Sequence, residues 1–132
     1  MFEVRVEAEF SAAHFLKDYH GKCERLHGHN YKVYAHVRGG RLDEGGMLLD
    51  FSELKKALRA VCGELDHRNL NDFDFFRQNP SAERIAMYLF DGIIRQLPAL
   101  GNNGTDADGA ARLYAVDVFE TDTSRARYCP AL

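Results

Sequence analysis

Apolar and polar residues alternate along four segments of the chain, a pattern typical of half-buried β-strands. The predicted strands cover residues 2–10, 31–38, 112–121 and 125–129. Between the second and third strands, two stretches repeat their apolar residues at helical spacing instead. The first predicted helix begins near Ser52, its predicted N-cap. The second begins at Pro80-Ser81 and ends near Gln96, since Pro98 cannot continue it.

The order strand, strand, helix, helix, strand, strand predicts an α+β fold with an antiparallel four-stranded sheet. Two helices can cover one face of such a sheet, which leaves the second face and both edges exposed. Because natural proteins pair or blunt exposed sheet edges, we expect a homo-oligomer. The polar, turn-rich segment 101–111 is interpreted as a loop.

Length and composition narrow the class of protein. The 132 residues fit a single domain spanning 1–132, with a formal net charge of −3 and three cysteines. The negative charge argues against a nucleic-acid or anionic-membrane partner. The charged first ten residues lack the apolar core of a signal peptide. We therefore expect a cytoplasmic protein with reduced thiols that acts on a small molecule.

Histidine placement is the strongest chemical signal in the sequence. His27 and His29 flank a glycine just before the second predicted strand, and His14 follows the first. Residues i and i+2 of an extended segment point to the same face, so His27 and His29 could converge. A hairpin between the two strands would add His14. Three imidazoles with an open position are typical of a catalytic Zn²⁺ site.

Cys23 lies four residues before His27 in a polar stretch with basic neighbours. Nearby positive charge lowers the pKa of a thiol and favours the thiolate, which is a base, a nucleophile or a metal ligand. We interpret Cys23 as functional. Cys62 and Cys129 are interpreted as inert thiols, since a free cysteine usually behaves as a small hydrophobic residue.

Two further carboxylates have open interpretations. Asp66 and His67 are adjacent and could orient each other, but from the residues alone they more simply finish the first helix. Glu120 ends a strand face that is otherwise apolar. Its carboxylate could accept two parallel N–H bonds from an amidine-like ligand edge, and a glutamate at the rim of the sheet fits the pattern equally well.

Six segments together resemble the family of 6-pyruvoyltetrahydropterin synthase and 6-carboxytetrahydropterin synthase. They are FSAAH (10–14), CERLHGHNY (23–31), LLDFSELK (48–55), LDHRNLN (65–71), NPSAERIA (79–86) and FETDTSRARY (119–128). They occur in the family's order and cover most of the chain. Only the 101–111 loop looks longer than its counterpart in the family.

The resemblance implies an architecture and a cofactor. The fold is the tunnelling fold (T-fold), in which subunits close a barrel and two trimers form a homohexamer. The cofactor is Zn²⁺, held by His14, His27 and His29. These are the three histidines that spacing alone selects, and the implied oligomer agrees with the exposed sheet edges.

The resemblance also assigns roles to the remaining candidates. Cys23 is the catalytic base, and Asp66 and His67 complete a catalytic triad. Glu120 anchors the 2-amino-pyrimidinone edge of a pterin. For Asp66 and His67, this assignment replaces the simpler interpretation as a helix end.

The implied substrate is 7,8-dihydroneopterin triphosphate, converted to 6-carboxy-5,6,7,8-tetrahydropterin, acetaldehyde and triphosphate in queuosine biosynthesis. Three residues separate Cys23 from His27, which is similar to the 6-carboxy type. Leu26 stands where a folate-related variant carries glutamate. Two alternatives stay open: a 6-pyruvoyltetrahydropterin synthase acting on the same substrate, and a noncatalytic module that binds zinc or a pterin.

Overall fold

Four antiparallel strands and two helices form the structure, a computed structural model that describes residues 1–18, 21, 24–77, 79–101 and 109–130. The strands are β1 (Phe2–His14), β2 (His27–Gly39), β3 (Arg112–Thr121) and β4 (Ser124–Tyr128). The helices are α1 (Phe51–Leu65) and α2 (Ala82–Gln96). Three single-turn 3₁₀ helices cover Leu70–Asp72, Asp74–Phe76 and Pro98–Leu100.

The sheet has the strand order β1-β2-β3-β4, so the predicted element order and fold class are confirmed. Both N-terminal strands are longer than the sequence pattern predicts. β1 continues to His14 and β2 begins at His27, and these two residues pair with each other. The alternation of apolar and polar residues does not extend over these added residues, because polar side chains occupy both faces of the sheet there. The backbone pairing between β1 and β2 nevertheless continues.

One face of the sheet carries the core. Along β2, alternate residues from Tyr31 to Val37 are fully buried. α1 packs against β1, while α2 packs against β3 and β4. The opposite face is polar, and His36 there bonds to the Asp117 carboxylate at 2.9 Å. The sheet thus has a covered face and a charged face, with β1 and β4 at the edges of the described strands.

The start of α1 corrects a sequence prediction. The N-cap is Asp50, whose carboxylate accepts a 2.8 Å bond from the Ser52 backbone N–H, so Ser52 as N-cap is wrong. Asp50 and Ser52 are both residue types that cap helices well. Asp50 lies directly before Phe51, so its carboxylate can accept from a first-turn N–H that has no partner within the helix. In α2 the N-cap is Ser81, which accepts a bond from the N–H of Arg84 at 3.2 Å.

A matched pair of serine variants tests these assignments. Ser81→Ala is expected to lower the free energy of unfolding by about 1 kcal/mol because α2 loses its cap. Ser52→Ala is expected to have a clearly smaller effect, since Asp50 continues to cap α1. Urea unfolding at one protein concentration measures both. An equal loss for the two variants would contradict the assignment of the α1 cap.

The segment after α1 holds the segment after β1 in place. Asn71 clamps the backbone of Phe15, accepting from its N–H and donating to its carbonyl, both at 2.9 Å. Asn79 accepts from the N–H of Lys17 at 2.6 Å. Glu24 accepts from the N–H of Leu16 at 2.9 Å and donates its own N–H to the Leu16 carbonyl. These bonds fix both ends of the connection between β1 and β2.

Most of the predicted 101–111 loop, residues 102–108, lies outside the described residues. Within the described part of the chain, neither helix has the length and apolar character that a membrane span requires.

Candidate metal centre and active site

Three imidazoles converge where β1 ends and β2 begins. His14 and His27 are cross-strand partners, and His29 follows two residues later on the same face of β2. The ring centroids lie 4.7 Å (His14–His27), 5.1 Å (His14–His29) and 4.9 Å (His27–His29) apart, in edge-to-face orientations. The structure therefore brings together the three histidines that the sequence selects.

Backbone carbonyls orient two of these rings. The Nδ1 of His14 lies 2.8 Å from the Pro80 carbonyl oxygen, and the Nδ1 of His27 lies 2.7 Å from that of Arg25. A carbonyl can only accept, so each Nδ1 carries a proton, and in the neutral ring the Nε2 then keeps its lone pair. A metal-ligating histidine typically has such a partner on its other nitrogen.

Glu120 joins this cluster from β3. Its Oε1 lies 3.0 Å from the Nε2 of His14 and 3.3 Å from the Nε2 of His29. The possible ligand atoms of the three histidines and Glu120 all lie within 4.8 Å of one another. Lys32 pairs with Phe119, so the next pair along the two strands places Glu120 beside Tyr31, on the face that carries the histidines.

Two imidazole nitrogens at the centre of the cluster lack a hydrogen bond. The Nε2 atoms of His14 and His29 are buried and make no hydrogen bond within the described structure, although both lie near Glu120. Burial lowers the pKa of His29, the neighbouring His14 and His27 add to this effect, and Glu120 opposes it. Three imidazoles whose ligand atoms converge, with a carboxylate beside them, fit a divalent cation, so the cluster could hold a metal ion.

An aromatic pair forms the floor of the cluster. Tyr31 is fully buried and stacks on Phe10, with ring centroids 4.8 Å apart. Its ring also makes edge contacts with His14 and His29, at centroid distances of 5.9 Å and 5.5 Å. Tight packing leaves these two imidazoles little freedom to rotate. The floor was not predicted from the sequence, where Tyr31 is only one of the alternating apolar positions of β2.

Asp66 and His67 contact each other outside this cluster. The His67 Nδ1 lies 2.9 Å from Asp66 Oδ2, while Asp66 Oδ1 accepts a bond from the Ser11 N–H at 2.9 Å. That backbone bond, followed by the contact with His67, lowers the pKa of the Asp66 carboxyl. The pair is therefore an oriented imidazole backed by an ionised carboxylate, an arrangement suited to proton transfer.

The exposure of His67 is unusual for a catalytic group. Its side chain is 83% exposed, and its backbone has a left-handed φ of 59°, fixed by a 2.6 Å bond from its N–H to the Ser11 carbonyl. A residue other than glycine rarely adopts this conformation, and such strain is concentrated at functional sites. His67 and His29 also line one cavity of about 450 Å³ beside β1.

Two of the three cysteines, Cys62 and Cys129, lie within the described residues. Cys23 lies outside the described residues. Cys62 is buried in α1, and burial raises the pKa of its thiol to about 12, which agrees with an inert role. Cys129 is a free, half-buried thiol near the end of the described chain. Glu24, the neighbour of Cys23, uses its carboxylate to bind the Leu16 backbone.

Comparison with known proteins agrees with this geometry. The family described as 6-pyruvoyl tetrahydropterin synthase matches residues 3–131. The chain is 38% identical to a 6-carboxy-5,6,7,8-tetrahydropterin synthase of Bacillus subtilis, covering 98% of this chain and 86% of that protein. It is also 38% identical to the protein of that name from Synechocystis, covering 97% and 93% of the two chains.

A solved structure has the same fold. The 6-pyruvoyl tetrahydropterin synthase of Caenorhabditis elegans superimposes with a TM-score of 0.77 at 29% identity, covering 98% of this chain and 96% of that one. The four-stranded sheet with two helices is thus the T-fold subunit that the sequence motifs implied. With the family matching nearly the whole chain, and two relatives above the identity at which homology is secure, the chain belongs to the 6-pyruvoyl tetrahydropterin synthase family.

Proposed function

We propose that this chain is a zinc-dependent lyase converting 7,8-dihydroneopterin triphosphate to 6-carboxy-5,6,7,8-tetrahydropterin, acetaldehyde and triphosphate. The observation that carries the proposal is the cluster of three imidazoles whose oriented Nε2 atoms fit a divalent metal. The names of the two relatives at 38% identity support the 6-carboxy product. The pathway proposed for this reaction is queuosine biosynthesis, in the cytoplasm.

His14, His27 and His29 would hold the Zn²⁺. When bound, the metal supplies Lewis acidity that makes protons beside the substrate's side-chain hydroxyls easier to remove. A set of neutral nitrogen ligands with a position left for substrate is typical of catalytic zinc. The bonds from His14 and His27 to backbone carbonyls keep the Nε2 atoms of both rings directed at the centre of the cluster, where the metal would be held.

The remaining predicted site residues are proposed to transfer protons or to bind the pterin. Cys23, as thiolate, removes a proton from the substrate side chain. His67, with Nδ1 directed at Asp66, has its Nε2 available to receive or return a proton. Glu120 accepts hydrogen bonds from the 2-amino-pyrimidinone edge of the pterin.

The whole chain is proposed to be one domain that assembles as a homohexamer, a dimer of trimers. β1 and β4 stand at opposite edges of the described sheet, and both lie antiparallel to their neighbours. Pairing of β4 with β1 of another copy would continue the same antiparallel order and remove both edges. The exposed His67 supports an active site completed by a second subunit.

A 6-pyruvoyltetrahydropterin synthase is the second candidate, because the C. elegans protein of that name shares the fold over 98% of this chain. A noncatalytic zinc- or pterin-binding module is the third. The oriented Asp66–His67 pair argues against this module, because binding alone requires no proton-transfer group.

Product analysis distinguishes the three candidates. Zinc-loaded protein is incubated with 7,8-dihydroneopterin triphosphate, with zinc-stripped protein as the control, and the products are identified by mass spectrometry. The expected products are 6-carboxytetrahydropterin and trapped acetaldehyde in equal amounts, from the loaded protein alone. A 6-pyruvoyl product without acetaldehyde would identify the second candidate. Bound zinc without turnover would identify the third.

Cys23→Ala is expected to keep one zinc per subunit while turnover falls by at least about 100-fold, since a positioned base contributes roughly that much. Elemental analysis after dialysis and single-turnover kinetics measure the two quantities. Cys129→Ala is the matched control, because it removes a thiol outside the proposed site and should leave both unchanged. Loss of zinc from Cys23→Ala would instead make Cys23 a ligand in the resting protein.

A further inference from the structure

We propose that β4 of one copy of the chain pairs with β1 of the next in one fixed register, in which Arg125 lies opposite Glu9. Arg127 then lies opposite Glu7. The inference rests on the proposed oligomer and deepens it, because it names the residues that join two copies. It also decides which part of one copy's active site lies beside its neighbour.

The segment after α1 occupies one end of the outer edge of β1. The carbonyl of Ser11 accepts a bond from the N–H of His67 at 2.6 Å. Ala13 donates its N–H to the Arg68 carbonyl at 3.0 Å. Because backbone groups alternate between the two sides of a strand, the odd-numbered residues from 3 to 9 direct theirs to the same edge. β1 is an edge strand of the described sheet, so these groups can pair with another copy.

The outer edge of β4 offers the matching groups. In antiparallel strands, residues directly opposite each other direct their backbone N–H and C=O groups either toward each other or both away. Followed from β1 through the registers of the sheet, this alternation directs the groups of Arg125 and Arg127 outward. Placing these two residues opposite odd-numbered residues of β1 therefore forms hydrogen bonds and also keeps the covered and charged faces continuous.

Two constraints select one register of this kind. Arg125 can lie no further along β1 than Glu9, because the segment after α1 occupies the edge beyond it. A shift of two residues the other way puts Arg127 opposite Arg5, and a shift of four puts Arg125 opposite Arg5. Like charges directly opposite each other are destabilising, and a larger shift moves Arg127 beyond the start of β1. The remaining register has two opposite-charge pairs, Arg125 with Glu9 and Arg127 with Glu7.

The covered face agrees with this register. Ala126 would lie opposite Ala8, and Tyr128 opposite Val6. Ala126, Tyr128 and Ala8 are half-buried in the single chain, and Val6 is buried. Apolar side chains thus meet across the contact on one face while glutamate meets arginine on the other, so burial and charge favour the same alignment.

The same register brings two parts of the proposed active site together. Ser124, the first residue of β4, would lie opposite Phe10, so the β3–β4 turn would lie beside Ser11 of the next copy. Ser11 is the residue whose carbonyl holds the His67 backbone. Glu120 stands near the end of β3, directly before this turn. The exposed His67 of one copy would therefore lie beside the Glu120 end of its neighbour, which completes the site.

Directed disulfides test the register without any turnover. Ala8→Cys, Ala126→Cys is compared with Val6→Cys, Ala126→Cys, both in a Cys129→Ala background that removes the thiol following β4. Directly opposite residues have Cα atoms about 4.5–5.5 Å apart, within disulfide reach, whereas a partner shifted by two residues lies about 7–8 Å away. The first pair is expected to give covalent oligomers on oxidation and the second to stay largely monomeric. Non-reducing electrophoresis and peptide mapping by mass spectrometry measure this.

Charge reversal tests the ion pairs. Glu9→Arg and Arg125→Glu are each expected to raise the concentration of half-dissociation at least about tenfold, because like charges facing each other across an interface cost several kcal/mol. The double variant restores opposite charges and should largely reverse the loss. Sedimentation measures the oligomer, and circular dichroism verifies that each variant is folded. If a single variant does not fold, the disulfide pairs decide the register.

Cross-linking of the Val6 pair in preference to the Ala8 pair would overturn the proposed register, as would an oligomer in which neither pair cross-links. A double charge variant no better than the single ones would exclude the ion pairs. A monomeric wild type would overturn both the register and the proposed oligomer. If the Ala8 pair cross-links but the wild type does not turn over 7,8-dihydroneopterin triphosphate, the proposed reaction fails and this inference stands.

Discussion

The double variant His27→Ala, His29→Ala is expected to lose its bound zinc and its turnover together. It removes two of the three imidazoles whose ring centroids lie about 5 Å apart, and leaves His14 with Glu120. Each lost imidazole should weaken metal binding by more than the about 10–100-fold that a lost partner of a ligating histidine costs. Elemental analysis after dialysis, with kinetics on the same samples, measures both losses. Full zinc occupancy in this variant would exclude the site.

The chain offers a matched control on the same strand. His36 also lies on β2 and is buried, but it belongs to the opposite face, where its Nε2 bonds to Asp117 at 2.9 Å and its Nδ1 lies 3.5 Å from Glu3. His36→Ala should lower the free energy of unfolding by about 1.5–3 kcal/mol, the typical contribution of a hydrogen bond to a charged group, while Asp117 keeps Arg127 as a partner. Zinc content should not change. This result would separate loss of metal from loss of stability.

The histidine cluster could be predicted because it depends on local geometry. Period two directs His27 and His29 to one face of a strand whatever the rest of the fold does. The hairpin that adds His14 needs only the pairing of consecutive strands, the commonest connection in antiparallel sheets. The structure adds that His14 and His27 are direct partners.

Glu120 in the metal cluster could not be predicted in this way. Its position depends on the register between β2 and β3, two strands separated by both helices and more than 70 residues of chain. A slip of one residue would send Glu120 to the charged face of the sheet. The alternation of β3 does not specify its partner, so the sequence supported a role at the rim as well as a role in binding.

The prediction of helix caps and loop contacts from the sequence was limited by a similar ambiguity. Asp50 and Ser52 are both good N-cap residues and lie two positions apart, so propensity could not choose between them. The clamps made by Asn71 and Asn79 join residues more than 50 positions apart. Asparagine in a predicted loop indicates only a turn. The bonds from these side chains to a distant backbone segment follow from the tertiary structure.

His67 could serve either the active site of its own chain or that of a neighbouring subunit. The pair formed with Asp66 is oriented by the Ser11 backbone, yet the His67 side chain is 83% exposed and lies outside the metal cluster. In the proposed homohexamer, the Asp66–His67 pair would serve the metal site of a neighbouring subunit. The alternative is a site within one chain, favoured by the cavity of about 450 Å³ that His29 and His67 line together.

Complementation separates these two arrangements. Cys23→Ala and His67→Ala are each expected to be inactive, because each removes a proton-transfer group from every site. If the site is shared, unfolding and refolding an equal mixture should restore about a quarter of wild-type activity, since one interface in four would pair an intact Cys23 with an intact His67. Each variant refolded alone is the control for revertant activity, and the refolded wild type sets the scale. Absence of recovery, with mixed oligomers confirmed by native mass spectrometry, would place Cys23, Asp66 and His67 of one site within a single chain.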